Sequence, residues 1–285
     1  MNGIKINTSK SYVASELEPK VSIITVCFNS ANTIEKTIES VIIQDYPNME
    51  YIIIDGGSTD GTIDLIERYE QYISHWLSEK DNGISDAFNK GISKASGDLV
   101  GIINSDDWYA PEAIKHVVEA FKSNPEIGFV FGDLIISDTE GQPLYSQTGD
   151  PYYQRMIAFD MPSIPHPTVF VRKEIYERFG GFSTDYKTAM DYEFLLKLWK
   201  NGVAGLYLPV ILAYMRLNGE SDVNYTRGYH EVMRISVHYG YNYYFAFFRF
   251  CFKCCKTFTK KVLQRIGFSS SVKLYRKYFS NRYKY

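Results

Sequence analysis

This sequence of 285 residues contains no uncharged apolar run of 18 or more, so no membrane-spanning helix is expected. Its first residues lack the basic-then-apolar pattern of a secretory leader, and no signal peptide is expected. Cysteine is scarce, with four residues. Cys27 stands alone in an apolar run, while Cys251, Cys254 and Cys255 crowd together late in the chain. That spacing excludes a disulfide framework and suits a reducing compartment. Cys251-x-x-Cys254-Cys255 has no second ligand pair at a distance that would close a zinc site. Internal repeats and low-complexity segments are missing too. Acidic residues are absent from residues 249–285, which hold 11 Lys and Arg. The rest of the chain has 20 basic against 33 acidic residues, so the overall charge of −2 hides an acidic body and a basic tail.

What is present is an ordinary globular composition, 45% hydrophobic and 22% charged, with a high aromatic share of 16%. Residues 1–20 are polar and aperiodic, a loosely held lead-in. Apolar β-branched runs then alternate with segments of helical spacing. Strands are expected at 21–27, 51–54, 99–103 and 128–134. Helices are expected at 32–43, 62–72, 84–95 and 111–121, the last opened by Pro111. This order predicts an α/β fold, a Rossmann-like, mainly parallel sheet flanked by helices. Ligands of such sheets bind beyond the carboxyl ends of the strands, so the residues just after each strand carry the functional signal.

Three strand ends are polar: Thr25-Val26-Cys27-Phe28-Asn29-Ser30, Asp55-Gly56-Gly57-Ser58-Thr59-Asp60-Gly61-Thr62 and Asn104-Ser105-Asp106-Asp107-Trp108. A carboxylate there can accept from a base or ribose hydroxyl, and neighbouring glycines let a ligand approach the backbone. Phe28 offers a face for stacking. Asp106-Asp107 is either a solvated turn before the 111–121 helix or a hard-cation site completed by diphosphate oxygens.

These segments resemble the family 2 glycosyltransferases with the GT-A fold. The resemblance rests on residues 21–29, 50–62, 81–91, Asn104-Ser105-Asp106-Asp107, and His166-Pro167-Thr168 through Gly180-Gly181-Phe182 to Met190-Asp191-Tyr192-Glu193. It spans about 200 residues with five motifs in the family order. It implies that Thr25, Phe28 and Asn29 border the nucleobase and that Asp55 accepts from it. It implies that Asp81, Gly83 and Lys90 lie near the ribose and diphosphate. Ser105 and Asp106 join this nucleotide-sugar group, and Asp107 becomes the ligand of Mn²⁺ or Mg²⁺. Asp191 is the implied catalytic base, taking a proton from the acceptor hydroxyl. The family has an acidic residue where this chain has Met190, which leaves Asp191 and Glu193 as alternatives; a plain helix cap is the other reading of Asp191. His166 and Trp108 are acceptor-side candidates, each with a structural alternative.

Residues 241–252 are dense in Tyr and Phe, and basic residues follow. This pattern suits a segment lying on a membrane surface, or a helical pair packed on the body. A nucleic-acid partner is not expected, since no nucleic-acid module accompanies the pattern. The expected organisation is a lead-in at 1–20, a GT-A domain at 21–217 and a helical C-terminal region at 218–285. The expected activity is inverting transfer of a monosaccharide from a nucleoside-diphosphate sugar, a UDP-sugar by preference. The family resemblance implies a saccharide acceptor, lipid-linked, in bacterial surface polysaccharide assembly, with the enzyme cytoplasmic or peripheral on the inner face of the membrane. A sugar nucleotidyltransferase and a degenerate nucleotide- or sugar-binding module are the alternatives.

Overall fold

A computed structural model describes residues 18–217 and 225–265. Most of the expected lead-in, and residues 218–224 and 266–285 of the C-terminal region, lie outside the described residues. The strands are β1 (Val21–Cys27), β2 (Met49–Asp55), β3 (His75–Ser78), β4 (Leu99–Asn104), β5 (Trp108–Tyr109), β6 (Phe129–Ser137), β7 (Pro143–Gln147), β8 (Phe170–Arg172) and β9 (Gly205–Arg216). The helices are α1 (Ile34–Ile42), α2 (Thr62–Arg68), α3 (Ile84–Lys94), α4 (Ala113–Ser123), α5 (Lys173–Phe179), α6 (Met190–Lys200), α7 (Tyr225–His238) and α8 (Tyr243–Arg265).

One nine-stranded sheet has the order β3-β2-β1-β4-β8-β6-β9-β5, with β7 added against β6. Its first half is parallel throughout, as the alternating β-α pattern predicts. Beyond β4 it becomes mixed, because β8 runs antiparallel to both β4 and β6 while β9 runs parallel to β6. The parallel strands are apolar without interruption because both faces are covered. Side chains alternate between two cores. Ile24, Val26, Ile52 and Ile54 pack with α3, α5, α6 and α7 on one face. Ile23, Ile53 and Ile103 pack with α1, α2 and α4 on the other.

Two helix boundaries differ from expectation. Arg68 ends α2, and a separate 3-10 turn occupies Glu70–Tyr72. Proline does not open α4: Glu112, in the left-handed region at φ 59°, precedes its first residue, Ala113. At the amino ends of the strands, buried Glu50 accepts hydrogen bonds from Ser22 Oγ (2.5 Å), Ser96 N (2.5 Å) and Ser96 Oγ (2.7 Å), and pairs with Lys20 at 2.6 Å. This clasp holds the edge opposite the strand ends that carry the polar loops.

The expected boundary at Leu217 divides parts that share a core. Val232 and Ile235 of α7 are buried in the same cluster as Tyr192 and Leu196 of α6. Among the described residues no helix is long and apolar enough to cross a membrane.

Candidate active site

Register brings the three polar strand ends together. Cys27 lies opposite Asp55, and Val26 opposite Asn104, so the loops after β1, β2 and β4 emerge side by side. Hydrogen bonds then lock them. Asn29 N donates to Ser58 Oγ (2.7 Å), and Thr59 N donates to Asn29 Oδ1 (3.0 Å). Asn29 takes φ 50°, a left-handed backbone that asparagine tolerates better than most residues. Ser30 N donates to Thr62 Oγ1 (2.7 Å), and the Ser30 and Ser105 hydroxyls share a 2.8 Å hydrogen bond. Asn29 and Ser105 therefore tie the three loops together.

Phe28 is the aromatic face at this edge, 62% exposed at the end of a fully buried strand. Beside it, a Cβ on Gly56 would fall 2.7 Å from Asp81 Oδ2 and 3.4 Å from the Phe28 ring. Glycine at 56 thus lets both Phe28 and Asp81 approach the β2 loop. Asp81 Oδ1 accepts from Gly83 N at 2.9 Å, which shapes the turn into α3, and Gly83 has φ 107°, a value that favours glycine. Lys90 pairs with Glu79 (2.8 Å) and Asp86 (3.4 Å), holding that turn from behind.

Two residues expected at the nucleobase are turned inward. Thr25 is fully buried, with its hydroxyl 3.0 Å from that of Tyr51. Asp55 is also fully buried and serves its own loop. It accepts from Gly57 N (3.0 Å), Ser58 N (2.8 Å), Ser78 Oγ (2.6 Å) and the Ser58 hydroxyl. Burial alone would raise its pKa, but these donors outweigh it and hold the carboxyl below the usual range. Its ionised form organises the loop rather than presenting a free acceptor.

The Asp106-Asp107 pair occupies the β4 end. Asp107 is 1% exposed and Asp106 half-buried. Burial raises both carboxyls, Asp107 well above its ordinary value, with repulsion from Asp106 adding to it. Asp107 Oδ1 accepts from Arg216 N at 3.2 Å, and Asn104 Nδ2 lies 3.5 Å from Oδ2. Asn104 Oδ1 is buried and has no hydrogen-bond partner among the described residues. Two crowded carboxylates with an orphaned amide oxygen nearby form an all-oxygen donor set of the kind Mg²⁺ or Mn²⁺ takes. Among the described residues no cluster of three His, Cys, Asp or Glu could hold a metal alone, so an ion here would need oxygens from a bound ligand. Arg216 adds positive charge at this corner, acting on both carboxyls. The sequence reading missed it because Pro209 interrupts the strand pattern of β9. Trp108 points away from an acceptor role: it is buried, stacked on Tyr214 at 5.3 Å, with Lys36 Nζ 3.3 Å from its ring centroid.

Asp191 lies near the start of α6 and lines a largely apolar pocket with His166, Ile164, Phe182 and Ile102. Ile102 belongs to β4, the strand that leads to the Asp106-Asp107 pair. Burial raises the Asp191 carboxyl to about 6, with a smaller push from Glu231 and an opposing backbone hydrogen bond from Tyr192. A carboxylate tuned toward neutral pH is a competent proton acceptor. His166 stacks on Phe88 at 5.1 Å, and burial lowers it to about 4, so it is neutral in this pocket. Glu193 faces elsewhere. Residues two apart on a helix point in different directions, and Glu193 is buried and accepts from the hydroxyl of Tyr239, the residue just after α7. Of the two acidic alternatives, only Asp191 lines the pocket.

Helix α7 fixes the turn before Asp191. Buried Glu231 accepts from the backbone N–H groups of Lys187 (3.2 Å), Thr188 (2.8 Å) and Ala189 (3.0 Å). Tyr192 bonds to Ser236 (3.0 Å) and to Ile157 O (2.7 Å). Glu231→Ala leaves three amides without their acceptor and is expected to destabilise the protein by about 2 kcal/mol or more. Thermal unfolding should show a midpoint several degrees lower, with Glu231→Gln in between. Equal midpoints for wild type and Glu231→Ala would contradict this role.

The family model described as glycosyl transferase family 2 matches residues 22–180. A protein of Mycobacterium tuberculosis named an uncharacterized glycosyltransferase is 32% identical over 185 residues, 63% of this chain and 68% of that protein. Chondroitin synthase of Escherichia coli is 28% identical over 188 residues, 65% of this chain but 27% of its own length. Among solved structures, S. aureus TarS 1-349 in complex with UDP aligns with a TM-score of 0.58 at 22% identity, covering 76% of this chain and 64% of that one. The mannosyltransferase PcManGT from Pyrobaculum calidifontis, in complex with GDP-Man and Mn2+, aligns with a TM-score of 0.60 at 21% identity, covering 77% and 64%. The chain thus spans about a quarter of the synthase and somewhat under two thirds of each solved chain. At such identities the structural likeness establishes the shared GT-A fold.

Proposed function

The chain belongs to glycosyl transferase family 2, and we propose that it transfers one monosaccharide, with inversion, from a nucleoside-diphosphate sugar to a saccharide acceptor. The observation that carries this reading is the pairing of two features flanking β4. At its carboxyl end stands a carboxylate pair suited to a divalent ion. Beside Ile102 stands a pocket in which burial raises Asp191 to about 6.

In this reading Phe28 stacks on the base, and the Gly56 loop admits the nucleotide backbone beside Asp81. Asn29, Ser30 and Ser105 keep the three loops in register. Asp106 and Asp107 would hold Mn²⁺ or Mg²⁺, with Arg216 adding positive charge at the same corner. The ion, when bound, neutralises the diphosphate leaving group. Asp191 accepts the proton of the acceptor hydroxyl as that oxygen attacks the anomeric carbon. Neutral His166 and the apolar wall exclude water from the base. UDP is the preferred nucleotide, supported by the TarS complex with UDP, while the GDP-Man complex of PcManGT keeps a second nucleotide in the test. Polymer assembly, supported by the likeness to chondroitin synthase, is the proposed setting, with a lipid-linked acceptor on the cytoplasmic side of a membrane. Residues 21–217 form the proposed catalytic domain, completed by α7.

A panel of UDP-, GDP- and dTDP-sugars, assayed for binding and slow donor hydrolysis with Mn²⁺ and with EDTA, tests this reading. One nucleotide class is expected to bind and be hydrolysed in a metal-dependent way. Binding without turnover of any donor would favour a degenerate binding module. Pyrophosphate release from a nucleoside triphosphate and a sugar phosphate would favour a nucleotidyltransferase.

A further inference from the structure

The side chains of α8 are arranged in reverse for a helix that packs on a soluble domain. Its inner face holds buried Ala246, and Arg249 and Lys253, which both pair with Asp160. Thr257 bonds to Tyr229 on the same side at 3.0 Å. Its outer face is aromatic. Tyr244 is 80% exposed, Phe248 64%, Phe252 53% and Phe258 64%, and Cys255 and Val262 are exposed among them. At helical spacing these six fall within an arc of about 120°. A solvent-facing helix normally shows the opposite polarity, and a contiguous apolar patch of this kind marks an interaction surface.

The sequence around the patch selects its occupant. After Cys255 the chain holds nine Lys and Arg and no Asp or Glu. Two copies meeting face to face would bring these positive segments together. An anionic bilayer instead attracts them, and its interfacial zone accepts Tyr and Phe side chains. The helix is not apolar enough to cross a membrane, so it would lie along the surface.

We propose that the outer face of α8, centred on Phe248 and Phe252, docks onto an anionic lipid bilayer with the helix in the plane of the interface. Inside the protein, Asp160 pairs with the first two basic residues of α8, Arg249 and Lys253, and Lys256 beyond them is exposed. This deepens the reading of a lipid-linked acceptor, yet docking stands or falls independently of donor chemistry.

The test uses the full chain with vesicles of phosphatidylcholine and phosphatidylglycerol, and with phosphatidylcholine alone. Sedimentation with the anionic vesicles is expected, weaker by about tenfold or more on neutral ones and partly reversed by high salt. The double variant F248S/F252S should lose anionic-vesicle binding by a similar factor while keeping donor hydrolysis in solution. F248W, which preserves the aromatic face, should show a blue-shifted emission with anionic vesicles, and it decides the matter if the double variant is insoluble. No sedimentation at low salt, or no shift in F248W, overturns the proposal. A dimer that F248S/F252S converts to monomer, without vesicle binding by the parent chain, assigns the face to a second copy and overturns it as well. If vesicle binding holds but no nucleotide sugar is turned over, the transferase reading fails and docking survives.

Discussion

Asp191→Asn is expected to lower turnover by about a hundredfold or more while leaving nucleotide binding intact, as the loss of a general base does. The pH profile gives a second readout. The base must be ionised to accept a proton, and burial places the carboxyl at about 6. In the parent enzyme kcat/KM should therefore fall below about pH 6, roughly tenfold per unit, and level off above it. The variant should lack this limb. Stability should move the other way. A carboxyl raised in the folded state favours folding below its unfolded pKa, and that contribution is lost as pH rises through about 6. At pH 8 Asp191→Asn is thus expected to unfold at the same temperature as the parent or higher, since asparagine can still accept from Tyr192 N. Glu193→Gln is the control. It loosens the contact with Tyr239 and should cost stability more than turnover. Normal activity in Asp191→Asn with loss in Glu193→Gln would move the base to Glu193.

Asp107→Ala is expected to lower turnover by on the order of a thousandfold, the kinetic equivalent of the several kcal/mol that a metal contributes to stabilising a leaving group. Calorimetry separates this from misfolding. Mn²⁺ should strengthen nucleoside-diphosphate binding to the parent chain and fail to do so in the variant. Asp107→Asn should behave alike in activity while keeping the acceptor for Arg216 N, so its metal-free fold should be at least as stable as the parent's. Parent activity unaffected by EDTA, or Asp107→Ala with normal turnover, would remove the metal from the reaction.

The site was legible to the extent that it lies at strand ends. Phe28, Asn29, Ser105, Asp106 and Asp107 directly follow or end apolar runs, and a parallel sheet sends such positions to one edge. The direction in which each side chain turns was not legible. Asp55 reads as a free acceptor, yet the amides of Gly57 and Ser58 and the hydroxyls of Ser58 and Ser78 claim it, Ser78 coming from β3, a strand the hydrophobic pattern does not reveal. Thr25 reads as part of the rim, but the two-residue period of β1 sends it inward to Tyr51. Arg216 stayed hidden because Pro209 breaks the pattern of the strand it ends. Glu231 stayed hidden because its partners are backbone amides 42 to 44 residues away, which leave no trace in composition.

By itself, then, the amino-acid order determined β1, β2 and β4 of the parallel half of the sheet, the three polar loops and the charge split between body and tail. These depend on local periodicity and composition, which act over a few residues. Tertiary structure alone decided which of Asp191 and Glu193 lines the pocket, because Tyr239, just after α7, holds Glu193. It decided the tuning of Asp191, which arises from burial among side chains remote in sequence. It also decided the polarity of α8. A helical wheel shows an aromatic side, but only Asp160, supplied from 89 and 93 residues away, draws Arg249 and Lys253 inward and leaves Phe248 and Phe252 facing out.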